Sequence, residues 1–293
     1  MKQKSTETTI FNIFALCFTT IFAILCILPL LLTLAGSFTP ERELLRGLKL
    51  IPEHFTTDAY KLIFRSPDAM INAYWVTIKL VAIGTVLGLF LTTMTAYVLY
   101  RKDFPARNFF AFFFFFTTLF SGGLVPHYVW MSELGLRNTF VVLLTSGLFT
   151  VFNMIIVRSY FTGNIPQSLV ESAKIDGAGD FKIYCDIVLP SAGPILATVG
   201  LLTALEYWNN WSTAMIYITN SKLYPLQYYL YRVFQEAANA AKLAEVGQST
   251  GSAPPTESYK LAMTVFTMGP VVLFYPFVQK YFVSGVTIGA VKE

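Results

Sequence analysis

The stretch ESAKIDGAGDFKIYCDIVLP, Glu171 to Pro190, separates two long apolar runs of this sequence. It carries charges of both signs and is too polar to lie within a lipid bilayer. Its residues nevertheless follow helical patterns rather than those of an irregular connector. We therefore expect a structured loop, either one that docks on another surface or a helical hairpin that packs on its own protein.

Two short helices are predicted in and just before this stretch. Asn164 and Gln167 have the spacing of a capping box, which predicts a helix that runs to about Asp176. Gly177 then supplies the left-handed residue that commonly ends a helix. Asp180 is expected to cap the second helix. One face of that helix is expected to be apolar, with Phe181, Tyr184, Cys185 and Val188.

The predicted bend between these helices consists of small residues. Ala173, Gly177, Ala178 and Gly179 leave little side chain at the corner. Another surface could therefore approach the backbone closely there.

The composition is that of an integral membrane protein. Of the 293 residues, 55% are hydrophobic and only 13% are charged, whereas soluble domains carry roughly 25% charged residues. The net charge of +4 is small and the basic residues do not cluster in the sequence, which argues against a nucleic-acid partner.

Six apolar stretches approach or exceed the roughly 20 residues that a membrane-spanning helix needs. The sequence therefore predicts an all-α membrane protein with six transmembrane helices. Lys2 and Lys4 precede the first stretch, which is too long for a signal peptide, so we expect an uncleaved span, with cleavage as the alternative. The six stretches are Phe11–Leu34, Ala73–Tyr100, Phe109–Trp130, Thr139–Tyr160, Ser191–Ile218 and Leu261–Phe282.

The basic residues of the connectors predict the orientation. Arg101, Lys102 and Arg107 follow the second span, while the next connector has only Arg137. The positive-inside rule then places both termini in the cytoplasm. We expect a cytoplasmic tail (1–10) and a single six-span domain (11–293) with a cytoplasmic loop (161–190) and two extracellular segments (35–72 and 219–260).

Two features of the second span suggest helix packing and a functional charge. Gly84, Gly88, Thr92 and Ala96 recur every four residues, a spacing that lets another helix approach closely, although such residues also occur by chance in membrane helices. Lys79 is a charge inside the span, which is a functional candidate by default. Snorkelling of its long side chain to the outer interface is the preferred explanation.

Candidates for a solute path are fewer. The segment YWNNW, Tyr207–Trp211, offers aromatic rings and amides that suit sugar binding, and we select Tyr207, Asn209 and Trp211. An aromatic belt at the outer interface explains the same residues equally well.

Metal and disulfide chemistry is not predicted. Cys17, Cys26 and Cys185 lack metal-ligand spacing and are interpreted as free thiols. His54 and His127 each stand alone in the sequence, so we expect no metal site.

The loop resembles a known signature. Glu171, Ala173, Gly177 and Ile187-Val188-Leu189-Pro190 match the cytoplasmic motif of permease subunits in binding-protein-dependent ATP-binding-cassette (ABC) importers. That motif reads Glu-Ala-Ala, three residues, Gly, nine residues, Ile-x-Leu-Pro. Ser172 replaces an Ala and is nearly as small.

Other segments are similar to maltose-type carbohydrate permeases, within the branch for complex oligosaccharides. The resemblance covers the chain from about the first span to its last residue, and implies the type I importer (MetI-like) fold. Glu293 stands where a final Gly is usual. The segments are Asn72, Ala96-Tyr97 with Arg101, SGGLVP at Ser121–Pro126, LGLRNT at Leu134–Thr139, and YPFVQKYFVSGVTIGAVKE at the end.

The resemblance implies a transport subunit rather than an enzyme. Its expected partners are a second homologous permease, two copies of an ABC ATPase, an extracellular solute-binding protein, an oligosaccharide and membrane lipid. The chain lacks a phosphate-binding G-x-x-x-x-G-K-[ST] motif, so ATP and Mg are expected only on the ATPase, and this chain is expected to hold no cofactor. The expected location is the bacterial cytoplasmic membrane. Residues implied to couple to the ATPase are Glu171, Ser172, Ala173, Asp176, Gly177, Ala178, Leu189 and Pro190.

Two other classes of transporter remain alternatives. An ABC importer of phosphate, peptide or polyamine would share the loop. A secondary transporter would need an internal repeat and paired interrupted helices, which the sequence does not show.

Overall fold

The protein is described here from a computed structural model, which covers residues 6–65, 67–245 and 257–290. These residues form helices and connecting turns without a β-strand, as the all-α prediction requires. The helices are α1 (Thr6–Ser37), α2 (Glu41–Leu44), α3 (Asp58–Arg65), α4 (Asp68–Tyr100), α5 (Arg107–Leu119), α6 (Leu124–Glu133), α7 (Phe140–Thr145), α8 (Val151–Asn164), α9 (Gln167–Ile175), α10 (Asp180–Ile183), α11 (Leu189–Ser191), α12 (Gly193–Asn209), α13 (Ser212–Tyr217), α14 (Leu226–Glu245) and α15 (Glu257–Ala290).

The chain divides into two compact units. One unit contains the described residues up to Pro67 together with Arg232–Pro270, and the other contains Asp68–Tyr231 and the described residues from Val271 onward. The loop identified in the sequence lies in the second unit.

In the first unit, α1 is apolar along its length and its side chains are largely exposed, as expected for a lipid-facing span. The end of α1 is fixed by Ser37, whose hydroxyl lies 2.7 Å from the hydroxyl of Tyr60. Glu41 accepts hydrogen bonds from the backbone N–H groups of Glu257 and Ser258 at the start of α15. A carboxylate at a helix N-terminus is stabilising because the helix dipole is positive there.

In the second unit, α4 is the central helix and packs against α8 and α12. Gly84 makes the closest approach, because a Cβ atom built there would lie 2.3 Å from the Tyr207 ring. A Cβ atom at Gly88 would lie 3.1 Å from the backbone oxygen of Leu148. Thr92 and Ala96 are buried further along the same face. The four small residues thus lie where α4 meets its neighbours.

Several predicted spans are broken rather than continuous. Among the described residues, two helices, α1 and α4, are long and apolar enough to cross a membrane alone. Two further pairs of helices are bent at a short break, and the number of spans rises to four if each pair counts as one span. The pairs are α5 with α6, bent by 115°, and the helical segment Asp180–Ser191 with α12, bent by 86°. Residues 146–150 interrupt the predicted fourth span between α7 and α8. Gly123, with φ 84°, permits the first of these breaks.

Parts of the sequence predictions lie outside the described residues. These are most of the basic N-terminal tail, the Gly- and Pro-containing linker at 249–255 and the last three residues. The segment before that linker forms α14.

Candidate functional site

The first helix of the loop, α9, starts differently from its prediction. Asn164 is the last residue of α8, and its amide donates to the carbonyl of Tyr160. The Gln167 amide instead donates to the carbonyl of Tyr100. The predicted capping box is therefore wrong, because Pro166 occupies the N-cap position and both polar side chains have other partners.

The end of α9 agrees with its prediction. Gly177 has a φ of 81°, and its N–H donates to the carbonyl of Lys174. The N–H of Ala178 donates to the carbonyl of Ala173, which completes the hydrogen bonds of a left-handed helix end. A Cβ atom at Gly177 would meet nothing within 4 Å. Within this chain, glycine is thus needed for backbone conformation and not for close packing.

The second helix of the loop is longer than predicted. It continues from α10 through a π-helical turn, Tyr184–Val188, into α11. Gly179 is its N-cap, so the prediction that Asp180 caps it is wrong. The prediction for Phe181 is also wrong, since this ring is 61% exposed, while Ile183, Tyr184 and Val188 are buried. The wider π-turn changes which residues share a face.

Asp180 instead belongs to a four-residue ionic network. The Arg101 guanidinium is 6% exposed and donates to Asp180 at 2.8 Å and to both carboxylate oxygens of Asp103, at 2.8 and 2.6 Å. It also donates to the Tyr97 hydroxyl at 2.6 Å. Lys174 of α9 bonds to Asp103 and lies 3.8 Å from Asp180. Two cations and two carboxylates thus connect α9 and α10 to the end of α4.

The network keeps its groups ionised. Hydrogen bonds from Arg101 and then from Lys174 hold the pKa of Asp103 well below its usual range. The hydrogen bond to Asp103 correspondingly raises the pKa of Arg101. A two-pronged guanidinium–carboxylate contact of this kind fixes geometry as well as charge.

Two buried hydroxyl contacts add to this connection. The Tyr184 hydroxyl lies 2.7 Å from the Thr93 hydroxyl of α4. The Tyr100 hydroxyl donates to the carbonyl of Ile165, just before α9, at 2.8 Å. Because buried polar groups are costly to leave unpaired, these bonds restrict how the loop can sit on α4.

The other side of the loop is largely exposed to solvent. Ile175 is 86% exposed at the end of α9, and Leu169 is 42% exposed. Glu171, Ser172, Asp176 and Pro190 are exposed as well, Ala178 and Leu189 are half-buried, and Ala173 is buried. Exposed apolar side chains beside polar ones are typical of a protein-interaction surface. We call Leu169, Glu171, Ser172, Ile175 and Asp176 the docking face.

The candidate solute-path residues have different environments. Tyr207 is fully buried, packs against Gly84 and donates to the carbonyl of Leu144 at 2.7 Å. Asn209 is exposed at the end of α12, and Trp211 stacks on Tyr231 with ring centroids 4.7 Å apart. Asn209 and Trp211 can therefore reach a solute in this conformation, whereas the Tyr207 ring is enclosed.

The remaining polar candidates are placed as follows. Lys79 is exposed on α4, 21 residues before Tyr100, or about 32 Å along the helix, close to the whole hydrocarbon thickness. His127 lies 2.6 Å from the Tyr217 hydroxyl. His54 is not isolated, since its ring and the carboxylates of Glu43 and Glu53 have ligand atoms within 4.8 Å of one another.

Sequence reasoning missed the residues that connect the loop to α4. Arg101 served only as an orientation charge and as part of the family resemblance, and Asp103, Lys174 and Thr93 were not selected. The signal was weak, because Arg101 and Asp180 lie 79 positions apart. Ile175 could have been found, since it is an apolar residue at the solvent end of a polar helix.

Comparison with known proteins decides the family. Residues 84–288 match the family described as "Binding-protein-dependent transport system inner membrane component". This chain belongs to that family. The match includes the loop, α12 and the second half of α4.

Relatives of this permease cover nearly its whole length. The polygalacturonan/rhamnogalacturonan transport system permease protein of Bacillus subtilis is 39% identical over 277 residues, which are 94% of this chain and 96% of the relative. Protein LplC of Bacillus subtilis is 37% identical over 91% of this chain and 89% of its own. A crystal structure of a bacterial ABC transporter that imports the acidic polysaccharide alginate contains a similar chain, with TM-score 0.83, 29% identity and coverage of 96% and 100%. The chain is a permease of an ABC importer, with the MetI-like fold.

Proposed function

We propose that this permease forms, with a second homologous permease, the membrane path for an oligosaccharide that an extracellular solute-binding protein delivers. Two copies of a separate ABC ATPase supply the energy, and this chain itself hydrolyses nothing. The complex lies in the bacterial cytoplasmic membrane, with the loop 161–190 on the cytoplasmic side. The single observation that carries the proposal is the two-sided loop, attached to α4 on one side and exposed on the other.

The loop transmits movement of the ATPase to the spans. The docking face contacts the ATPase through Leu169 and Ile175, whose exposed side chains lose contact with water on binding. Displacement of α9 and α10 is passed to α4 through Arg101 and Lys174. Because α4 packs against α12 through small residues, the two helices shift together.

In this mechanism, the loop residues have three different roles. Glu171, Ser172 and Asp176 act in docking because they are exposed. Ala173 and Gly177 shape the helix and its end. Ala178, Leu189 and Pro190 set how the loop joins its neighbouring helices.

An oligosaccharide is the proposed cargo. The relatives that support it are a polygalacturonan/rhamnogalacturonan permease and an alginate importer, both named for acidic polysaccharides. Oligosaccharides of uronic acids are therefore the first solutes to test. Asn209 and Trp211 are the proposed contacts on this chain, through amide hydrogen bonds and ring stacking.

Uptake in proteoliposomes tests the proposal. The reconstituted complex should accumulate a labelled oligouronate only with ATP and the binding protein present. ATP-independent uptake would overturn the importer mechanism. ATP-dependent uptake of a phosphate, peptide or polyamine instead of sugars would overturn the cargo.

A further inference from the structure

Two arginines of the second unit, Arg107 and Arg158, have no acidic partner in the part of the chain that the structure describes. Arg107 is the first residue of α5, and Arg158 lies in the second half of α8. Both side chains are half-buried, and among the described residues no carboxylate lies within ion-pair distance of either. Arg101 and Lys174, by contrast, share two carboxylates.

The two arginines lie toward the same end of neighbouring helices. α5 and α8 pack together, and the rings of Phe114 and Phe149 meet with centroids 5.5 Å apart. Arg107 is seven residues before Phe114, and Arg158 is seven residues after Val151, the first residue of α8. Successive spans run in opposite directions, so both arginines lie toward the same end of this contact. Arg107 is about 10 Å from Phe114 along α5, and Arg158 is nine residues beyond Phe149. The charge of Arg107 acts on Arg158.

Two like charges on a half-buried surface repel each other, and an anion bound between them offsets that repulsion. The surrounding surface indicates the kind of anion. On α5, Phe109 and Phe112 are 65% and 64% exposed, and on α8 Phe152 is 65% exposed. Exposed aromatic residues along a membrane helix are covered by acyl chains, so the arginines lie where those chains meet their headgroups.

We propose that Arg107 and Arg158 bind the phosphate of an anionic phospholipid of the cytoplasmic leaflet, with its acyl chains on the exposed phenylalanines of α5. The orientation of the leaflet rests on the proposed function. Basic pockets between membrane helices on this side bind such headgroups in general. Guanidinium groups suit them because they can donate two parallel hydrogen bonds to a phosphate. The occupant is a lipid rather than free phosphate because apolar surface adjoins both charges.

Lipid retention by the complete transporter tests this site. The complex is purified in mild detergent, exposed to phosphatidylglycerol or phosphatidylcholine, and bound lipid is counted by native mass spectrometry. The double variant Arg107→Gln with Arg158→Gln is expected to retain several-fold less phosphatidylglycerol than the unaltered complex. The control Lys182→Gln, which removes an exposed charge from α10, should retain the full amount.

Several outcomes would overturn the lipid site. They are equal retention in the double variant, equal loss in Lys182→Gln, and equal retention of phosphatidylcholine. Displacement of the lipid by millimolar inorganic phosphate would assign the site to the free anion. If the double variant does not assemble, Arg107→Lys with Arg158→Lys must keep the preference for phosphatidylglycerol, and loss of that preference would count against phosphate binding. Lipid retention does not depend on solute uptake, so failure of the proposed function leaves this readout intact.

Discussion

Arg101 donates a 2.8 Å hydrogen bond to Asp180 and thereby joins residues that lie 79 positions apart in the chain. This bond connects the end of α4 to the start of the second loop helix. The same guanidinium holds Asp103 and Tyr97, so one buried cation organises the junction. In the proposed mechanism, movement of the loop reaches the membrane helices through this residue.

Replacing Arg101 is expected to uncouple transport. Arg101→Gln leaves two carboxylates without their main partner, which should loosen α10 from α4. We expect oligosaccharide uptake by the reconstituted complex to fall at least ten-fold while basal ATP hydrolysis persists. Arg101→Lys should rescue only partly, because a lysine cannot bond two carboxylates in the same geometry. The matched control is Lys61→Gln, which breaks an exposed ion pair with Asp58. Full uptake by Arg101→Gln would contradict the role of the network.

We expect a substitution at Gly177 to be tolerated if the new residue can adopt the same backbone conformation, whatever the size of its side chain. Its φ of 81° is a region that costs roughly 1–2 kcal/mol for most residues but less for asparagine. Gly177→Val should therefore reduce uptake and solute-stimulated ATP hydrolysis together, whereas Gly177→Asn should retain more of both. Equal loss in both variants would indicate that the ATPase needs a bare backbone at this position. Unchanged activity of Gly177→Val in an assembled complex would exclude a coupling role.

The contact between α4 and α12 should be sensitive to a single methyl group. Gly84→Ala places a Cβ atom 2.3 Å from the Tyr207 ring, and such overpacking costs about 1–3 kcal/mol. We expect a lower melting temperature of the purified chain, partly restored by Tyr207→Leu in the same chain. Gly163→Ala is the control, because no atom lies within 4 Å of that position. Equal melting temperatures for the two alanine variants would contradict the close packing.

The sequence predicted the membrane class, the all-α fold and the position of the loop, because composition and local patterns determine these features. The end of α9 at Gly177 followed from the same local chemistry. The starts of both loop helices did not, since Gln167 and Asp180 bond to residues of α4 rather than to nearby N–H groups. Likewise, a π-turn after Ile183 moved Phe181 away from the buried face. Such choices depend on tertiary partners that no local pattern contains.

The ionic junction should not respond to pH near neutrality. The pKa of Asp103 is lowered in the folded protein by Arg101 and Lys174. Its contribution to stability is therefore complete above the unfolded value of about 3.9 and is lost only as the pH falls through the lower folded value. We expect the difference in melting temperature between the unaltered protein and Asp103→Asn to stay constant between about pH 5 and 8. A difference that disappeared within this range would show that another group controls the junction.

Uptake and stability measurements can distinguish the exposed solute-path candidates, Asn209 and Trp211, from the buried Tyr207. Trp211→Ala is expected to lower oligosaccharide uptake several-fold and to lower the melting temperature less than Tyr207→Ala does, because Trp211 is 39% exposed. The main effect of Tyr207→Ala should be a lower melting temperature, since the ring is fully buried. Uptake at a range of solute concentrations checks the first effect. Normal uptake by Trp211→Ala would remove this residue from the proposed path.

Cross-linking at the docking face tests the central claim most directly. Ile175→Cys is introduced into a chain that lacks Cys17, Cys26 and Cys185, and the assembled complex is labelled with a maleimide that carries a benzophenone, which cross-links to any nearby residue on irradiation. We expect a covalent product between this chain and the ATPase, abolished when the ATPase is omitted, while Lys49→Cys in the predicted extracellular segment gives none. A fully reactive Ile175→Cys that forms no product with the ATPase in a transport-competent complex would contradict the account.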